Sequence, residues 1–585
     1  MFDAGRTVTA YMREHASALA CAVLSGVVSG LPYILAVVDI GDAYRGIPFF
    51  FQANEDYYLA RIREIYDGHW FVSSPFFYEY KSLLPLMPPT GEYLYAMLAL
   101  VMGLSLPSLL VFSKFLLPAI LFMLVYMLIH ELTIQDVPSF ARRSAIAGAT
   151  LVVVGIGLVD YNDVLQRLLH GATWPALSMW TRPVNPITGA LFLFAFLSLL
   201  VRLRVHGYAL AGGAGIVLAL MLGYIFSFGV ALAMLATLGV FALRFRDYEY
   251  FKRLLVIALV AIVVFSAYAL FVIQSLGEGS LGRSGLVLGH APLLNKVSFL
   301  ALFLVIGLFT FRWRVQKLSF DWNTSFPLWF SLSLIVASLA TLNQQLVTGL
   351  SIWPYHLVQY TVPLSMVALV VAGTSIIGPL YTRVWNALLW CAVAVSFAFA
   401  TWNMFTYVHA LPLFTDMQRY APALSWLRDN AQKDCVVLVA EDEYVRFTNL
   451  VPGFTSCNVY HALHISGHIP AERIEHNYFV QLRLRGVDAD TIETYLLAHK
   501  DEVLSRYHTD WHELFSPVEN NERITALITS IALRYQEFYE RDFLTEIKKF
   551  RADYLVDAGI LHPSALSELD SEKVFEQDGI SVYAL

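Results

Sequence analysis

Carboxylates open the one long polar stretch that precedes most of the apolar chain, in the run Asn54-Glu55-Asp56-Tyr57-Tyr58-Leu59-Ala60-Arg61-Ile62-Arg63-Glu64-Ile65-Tyr66-Asp67-Gly68. The spacing predicts an amphipathic helix with Tyr58, Ile62, Ile65 and Tyr66 on one face, begun by adjacent acids and closed by Gly68. Lying in a membrane interface, such a helix would hold a carboxylate pair just above the bilayer. A second acidic cluster, Asp160-Tyr161-Asn162-Asp163, follows a later apolar run. Two such clusters at one membrane face could bind a divalent metal or divide base and positioning roles. Plainer roles fit the same residues: Glu55 and Asp56 suit helix capping, and Asp160 and Asp163 suit a solvated span end.

Other polar residues fit a site for a phosphorylated lipid. Arg182, in Thr181-Arg182-Pro183-Val184-Asn185-Pro186, stands alone at the end of an apolar run, and Asn343, Gln345 and His356 sit at the ends of two others. Arginine makes bidentate contacts to phosphate, and amides suit sugar hydroxyls. Arg182 would otherwise snorkel to headgroups, and His356 would serve as an interfacial anchor. Arg283 and His290 form a weaker pair in a glycine-containing loop that looks like a lid.

Lipid is the solvent these residues require around them. Hydrophobic residues make up 57% of the 585 and charged residues 15%, an excess of apolar mass over soluble domains. The net charge of −7 argues against a nucleic-acid partner, which needs a basic face. Candidate spans centre at about residues 28, 119, 152, 194, 216, 235, 262, 304, 333, 367 and 394, about eleven crossings. The stretch 93–104 is too short to cross and reads as re-entrant or interfacial. A polar segment with Arg6 and Arg13 precedes an uncleaved first span.

Basic residues Arg142/Arg143, Arg202/Arg204, Arg244/Arg246/Lys252/Arg253, Arg312/Arg314/Lys317 and Arg383 fall in alternate short loops. Those loops and the N-terminus are expected in the cytoplasm, which places 39–92, 160–183, 274–296, 343–355 and the C-terminal part outside a plasma or inner membrane. Composition shifts late in the chain, so the expected division is a membrane domain at 1–403, with its first outer loop at 39–92, and a soluble α/β domain at 404–585. Helix-like runs at 420–430 and 488–506 mix there with β-like runs at 436–440, 553–556 and 580–583. Cys435 and Cys457 can pair if that compartment is oxidising.

The stretch Glu55-Asp56-Tyr57-Tyr58-Leu59-Ala60-Arg61 resembles the acidic-x-Tyr-Tyr-x-x-Arg pattern of the oligosaccharyltransferase branch of the polytopic GT-C glycosyltransferases. The order of Pro88-Pro89-Thr90-Gly91-Glu92-Tyr93-Leu94, a short apolar stretch, a span and a basic loop is similar to the same family, as is the acidic motif Asp160 to Asp163. The group includes protein mannosyltransferases and aminoarabinose transferases. The resemblance implies a membrane-embedded transferase that takes a sugar from a polyprenyl-phosphate or polyprenyl-diphosphate donor at the outer face and gives it to a glycan, lipid or protein.

It further implies Asp56 or Glu55 as the catalytic carboxylate, supported by Asp160 and Asp163. Arg182, His356, Arg61, Asn343 and Gln345 would contact substrate, and Asp56, Asp160 and Asp163 would hold any divalent metal, magnesium or manganese. Aligning the tyrosines favours Glu55, and the family's usual aspartate favours Asp56. Rival classes are a lipid-linked saccharide ligase or polymerase of another fold, a transporter, and a non-catalytic receptor. A transporter should show broken spans, matching halves and ionisable groups at mid-bilayer, and the sequence shows no clear case of these.

Overall fold

The structure, a computed structural model, describes residues 12–72, 74–85, 87–134, 137–172, 174–204, 206–275, 286–316, 321–441, 447–462, 469–507, 521–569 and 571–585. Helices dominate the first two thirds: α1 (Ala16–Ile40), α2 (Glu55–Tyr66), α3 (Thr90–Met102), α4 (Leu106–Thr133), α5 (Pro138–Val153), α6 (Tyr161–His170), α7 (Ile187–Arg202), α8 (Tyr208–Leu220), α9 (Ile225–Arg244), α10 (Tyr248–Ser275), α11 (Lys296–Phe311), α12 (Phe326–Leu342), α13 (Tyr355–Ile376) and α14 (Thr382–Met404). Local signals start and stop them. Ser105 Oγ accepts from Ser108 N at the start of α4, Asn295 does the same for α11, and Gly103 closes α3 in the left-handed conformation.

Among the described residues, eight helices are long and apolar enough to cross a membrane. Helices α5, α7 and α8, at other expected crossings, have 16, 16 and 13 residues. At 1.5 Å per residue these are shorter than a hydrocarbon core of about 30 Å. Neighbouring helices cover α5 and α7, most of whose residues are buried inside the bundle, whereas α8 buries Ala211, Ala214, Gly215 and Leu218 and leaves Ile216 exposed. The span expected near residue 152 is displaced towards the N-terminus, because α5 ends at Val153. Helix α3 leaves Met97, Leu100, Val101 and Met102 exposed, an apolar flank that lipid suits.

The C-terminal residues build a five-stranded sheet ordered β4-β3-β5-β7-β6 from β3 (Val436–Ala440), β4 (Asn458–Val459), β5 (Tyr554–Asp557), β6 (Glu572–Gln577) and β7 (Ile580–Ala584). Strand β3 is parallel to β4 and β5, and β7 is antiparallel to β5 and β6. The helices here include α15 (Ala421–Asn430), α16 (Phe447–Phe454) and α17 (Ala471–Leu484). The helical run expected at 488–506 divides into Ile492–Ala498 and Lys500–Tyr507. Cys435 and Cys457 are joined in a disulfide. A smaller antiparallel pair, β1 (Leu286–Leu288) and β2 (Leu350–Ile352), links two inter-helix segments, and Arg283 lies outside the described residues.

The first loop corrects the sequence reading most. Helix α2 does not lie on a membrane surface with one wet face. Glu55, Asp56, Arg61 and Glu64 are buried along with Tyr58, Leu59, Ile62 and Ile65, and Tyr66, expected on the buried face, is exposed. One flank joins the transmembrane core through Tyr58, Ile62 and Ile65. Ala60 on another flank joins the core of the C-terminal sheet, together with Ile47, Phe76 and Phe77 of the same loop. Gly453 of α16 comes against Leu59, where an added Cβ would stand 3.0 Å from the leucine side chain. The sheet edge is also extended by the loop, since Val459 N donates to Phe76 O at 2.8 Å.

Charge fastens this contact. Lys81 Nζ lies 3.2 Å from Glu64 and 2.5 Å from Asp434, and His69 lies 3.2 Å from Asp434. Burial pushes the Glu64 carboxyl up to about 7, against the pull of Lys81 and with help from Asp434 and Asp67. A carboxyl whose folded pKa is raised gives stability that is full below its unfolded pKa and is lost as pH rises through the folded one. Among its neighbours, Asp434 is lowered in spite of its burial because Lys81 pairs with it, and burial lowers His69. Thermal stability from this group is therefore expected to fall between about pH 4.5 and about pH 7 and to level off above that, and Glu64→Gln is expected to remove that contribution. An unchanged slope in the variant would rule out Glu64 as its source.

Candidate functional site

Four chain segments meet where Arg182 stands. A 3-10 turn, Met179–Thr181, precedes it, and the turn is held from several sides. Trp180 Nε1 donates to Val152 O at 2.9 Å, Lys114 Nζ donates to Thr181 O at 3.0 Å, and Gln52 Nε2 donates to Ser178 O at 3.0 Å. Downstream, Tyr360 of α13 donates to Pro186 O at 3.0 Å. Arg182 is thereby set between fixed points. Its guanidinium carbon lies 5.3 Å from the Tyr58 ring centroid, Nη2 reaches Tyr58 Oη at 3.4 Å, and Nε is buried with no hydrogen-bond partner among the described residues. A fork so placed keeps donor capacity for an anion.

His356, near the start of α13, is brought to the same place. Its Nδ1 is 2.6 Å from Tyr224 Oη, its ring stacks on Phe226 with centroids 5.0 Å apart, and Tyr355 lies 4.4 Å away. Tyr224 links the two residues' surroundings: its ring centroid is 6.0 Å from His356 and 5.8 Å from Tyr360, whose hydroxyl donates to Pro186 O just after Arg182. Burial raises the Tyr58 hydroxyl above its usual range, and Arg182 holds it back. Arg182 and His356 thus share an aromatic surround that includes Tyr58, Tyr224, Phe226 and Tyr355. Tyr224 and Tyr360 did not stand out in the sequence, where Gly223-Tyr224 signalled only a turn.

The two first-loop carboxylates part company. Glu55 Oε1 accepts from Lys114 Nζ at 2.7 Å and from Gln52 N at 3.2 Å, and both side chains of the ion pair are almost fully buried. Burial still raises the Glu55 carboxyl, with Lys114 opposing. Lys114 lies inside α4, so one span does carry an ionisable group. It is paired to the loop and lies 4.0 Å from the Tyr33 ring centroid. Asp56 is also buried, and its Oδ1 accepts from Tyr57 N at 2.9 Å.

Arg61 pairs with Glu92 of α3 at 2.5 Å and donates to Tyr57 Oη at 3.3 Å and Val72 O at 3.4 Å. Burial alone would lower the arginine, but Glu92 more than compensates and raises it. Arg61 is thus a brace between two helices, and Glu92 is the partner that sequence reasoning missed.

Asp160 and Asp163 act locally in α6: Asp160 Oδ1 caps the helix by accepting from Asp163 N at 3.2 Å, and Asp163 pairs with Arg167 at 2.6 Å. Among the described residues no group of three or more His, Cys, Asp or Glu side chains is arranged to hold a metal, so Asp56, Asp160 and Asp163 do not form the expected trio. The expected amides bind backbone: Asn343 Nδ2 donates to Leu293 O and Leu339 O, its Oδ1 accepts from Leu293 N, and Gln345 Nε2 donates to Ala291 O. His290 Nδ1 lies 3.2 Å from Leu346 O in the same tie. These residues hold the segment after β1 beside the helices of this surround.

No protein-family model matches the sequence, and no curated protein matches it. Several solved structures are similar to this fold. The oligosaccharyltransferase of Archaeoglobus fulgidus, tethered to an acceptor peptide containing the NVT sequon, shares 15% identity over 93% of this chain and 69% of its own, with a TM-score of 0.44. The arabinofuranosyltransferase AftD from Mycobacteria shares 11% over 98% of this chain and 40% of its own, with a TM-score of 0.49. ArnT from Cupriavidus metallidurans, bound to undecaprenyl phosphate, shares 12% over 95% and 97%, with a TM-score of 0.42. Function rests on the residues themselves.

Proposed function

We propose that the chain transfers a sugar from a polyprenyl-phosphate-linked donor to an acceptor at the membrane face that carries the C-terminal domain. The observation that carries this reading is the convergence of Arg182, with its unspent Nε, and His356 in one aromatic surround. When the glycosidic bond breaks, negative charge grows on the lipid phosphate. Arg182 would take that charge in bidentate contact, and His356 would donate to it. Tyr58 and Tyr224 fix the two groups before the substrate arrives. A carboxylate must orient or deprotonate the acceptor, and Asp56 is assigned this role because Glu55 is committed to Lys114.

The domain side is assigned to the outside of a plasma or inner membrane. Arg142 and Arg143, Arg202 and Arg204, and Arg244 and Arg246 lie in or beside inter-helix segments expected at the other end, as the positive-inside rule requires. The Cys435–Cys457 disulfide fits an oxidising compartment. The membrane part is taken as 1–403 and the soluble part as 404–585, with α2 clamped between them.

The test uses purified protein in nanodiscs with short-chain polyprenyl-phosphate sugars. Asp56→Asn is expected to lower turnover by about a hundredfold to ten-thousandfold, the range for a lost general base. Full turnover in both Asp56→Asn and Glu55→Gln would overturn the assignment of a first-loop carboxylate.

A further inference from the structure

A cavity lies away from the Arg182 site, on the other flank of the 176–182 segment. It measures about 260 Å³ and is lined by Val28 and Ser29 of α1, Val154 after α5, Asp163 of α6, and Phe399 and Asn403 of α14. Its walls are mostly apolar, but two polar atoms within them have no partner among the described residues, Ser29 Oγ and Asn403 Oδ1. Ser29 is 4% exposed and Asn403 8%. A buried hydroxyl or amide left without a partner is costly, and proteins rarely keep two in one cavity unless something satisfies them.

Asn403 is held in place from the segment side. Its carbonyl accepts from Thr406 Oγ1 at 2.7 Å, and Thr406 Oγ1 in turn accepts from Ala176 N at 2.8 Å. The cavity's surroundings indicate where a ligand would come from. Val27 and Trp402, next to the lining residues, are exposed on the lipid-facing flank of the bundle. Helix α6 at the rim exposes Tyr161, Leu165, Leu168 and Leu169 on one face, while Asp163 and Arg167 pair on another. A helix of that pattern lies in the interfacial plane, so entry is from the bilayer.

We infer that this cavity binds a membrane lipid whose uncharged head group donates hydrogen bonds to Ser29 Oγ and Asn403 Oδ1, with its chain along the apolar flank of α1 and α14. The acceptor atom of Asn403 selects an O–H or N–H donor. Among the described residues, those lining the cavity include no lysine, arginine or histidine to take a phosphate. This site is separate from the one proposed for the donor phosphate and does not depend on the transferase reading.

The test is photo-crosslinking of the full chain in phosphatidylcholine nanodiscs with a diazirine-bearing monoacylglycerol. Monooleoylglycerol, methyl oleate and oleoyl lysophosphatidic acid serve as competitors. Labelling is expected to saturate on peptides containing residues 28–29, 154–157 or 399–404, and monooleoylglycerol is expected to displace the probe about tenfold better than methyl oleate, the worth of two hydrogen bonds. Ser29→Ala with Asn403→Leu is expected to abolish that preference while donor turnover persists. Labelling spread evenly over the lipid-facing helices, equal displacement by methyl oleate, or stronger displacement by the lysophosphatidic acid would each overturn the inference. The displacement series in the parent protein decides the matter even if the double variant does not fold.

Discussion

Arg182→Ala is expected to cut sugar transfer by about a hundredfold to a thousandfold, the loss found when one preorganised donor to developing charge is removed. The reason is geometric. The turn at Met179–Thr181 is tied to Val152, Lys114 and Gln52, so the arginine sits where a phosphate would arrive and does not need to be ordered by it. Arg182→Lys is expected to recover only part of the rate, because a point charge replaces a planar fork. Tyr58→Phe is expected to cost less than tenfold. It removes a 3.4 Å contact and keeps the ring under the guanidinium. Folding should survive all three, since that long contact is the one hydrogen bond from the Arg182 side chain to another side chain shown among the described residues. The measurement is single-turnover transfer with a polyprenyl-phosphate sugar, alongside a thermal melt. A rate unchanged in Arg182→Ala at saturating donor would remove the phosphate from this site.

What the sequence made legible follows from the range over which its signals act. Apolar length and periodicity are local, so helices stand at nearly every expected position, and the β runs at 436–440 and 580–583 fall on β3 and β7. Partners distant in the chain were not legible. Lys114 reads as one cation in a leucine-rich span until Glu55 is seen beside it, and Arg61 reads as a free ligand for substrate until Glu92 is found. The helical pattern of α2 was correct and its setting was not. Amphipathicity cannot tell a bilayer surface from the surface of another domain, and Gly453 of α16 supplies the latter. Asn343 and Gln345 suited sugar hydroxyls by type, but side-chain amides bind backbone equally well, and here a neighbouring segment claims them. Arg182 and His356 were picked separately, and no spacing rule joined them.

The Glu55–Lys114 pair gives the sharpest separation of structure from chemistry. Both groups are buried, their contact is 2.7 Å, and Lys114 reaches out of a span to hold the loop helix and the Thr181 carbonyl together. Removing one partner of such a pair leaves a charge buried without compensation, at a cost of about 3–5 kcal/mol, whereas replacing both with apolar groups is often neutral. Glu55→Gln and Lys114→Met are therefore each expected to lower the melting temperature, and Glu55→Leu with Lys114→Met is expected to restore most of it. Asp56→Asn is expected to lose turnover with a smaller fall in melting temperature than Glu55→Gln, because the amide keeps the acceptor oxygen used by Tyr57 N. The two carboxylates are adjacent in sequence, so only this crossed pattern assigns them: stability at 55, chemistry at 56. The reverse pattern, with Glu55→Gln stable but inactive and Asp56→Asn active, would move the catalytic role to Glu55 and make Lys114 its positioning residue. In that case the Lys114→Met variant should shift the pH dependence of transfer, because the lysine would be setting the protonation of the acting carboxylate.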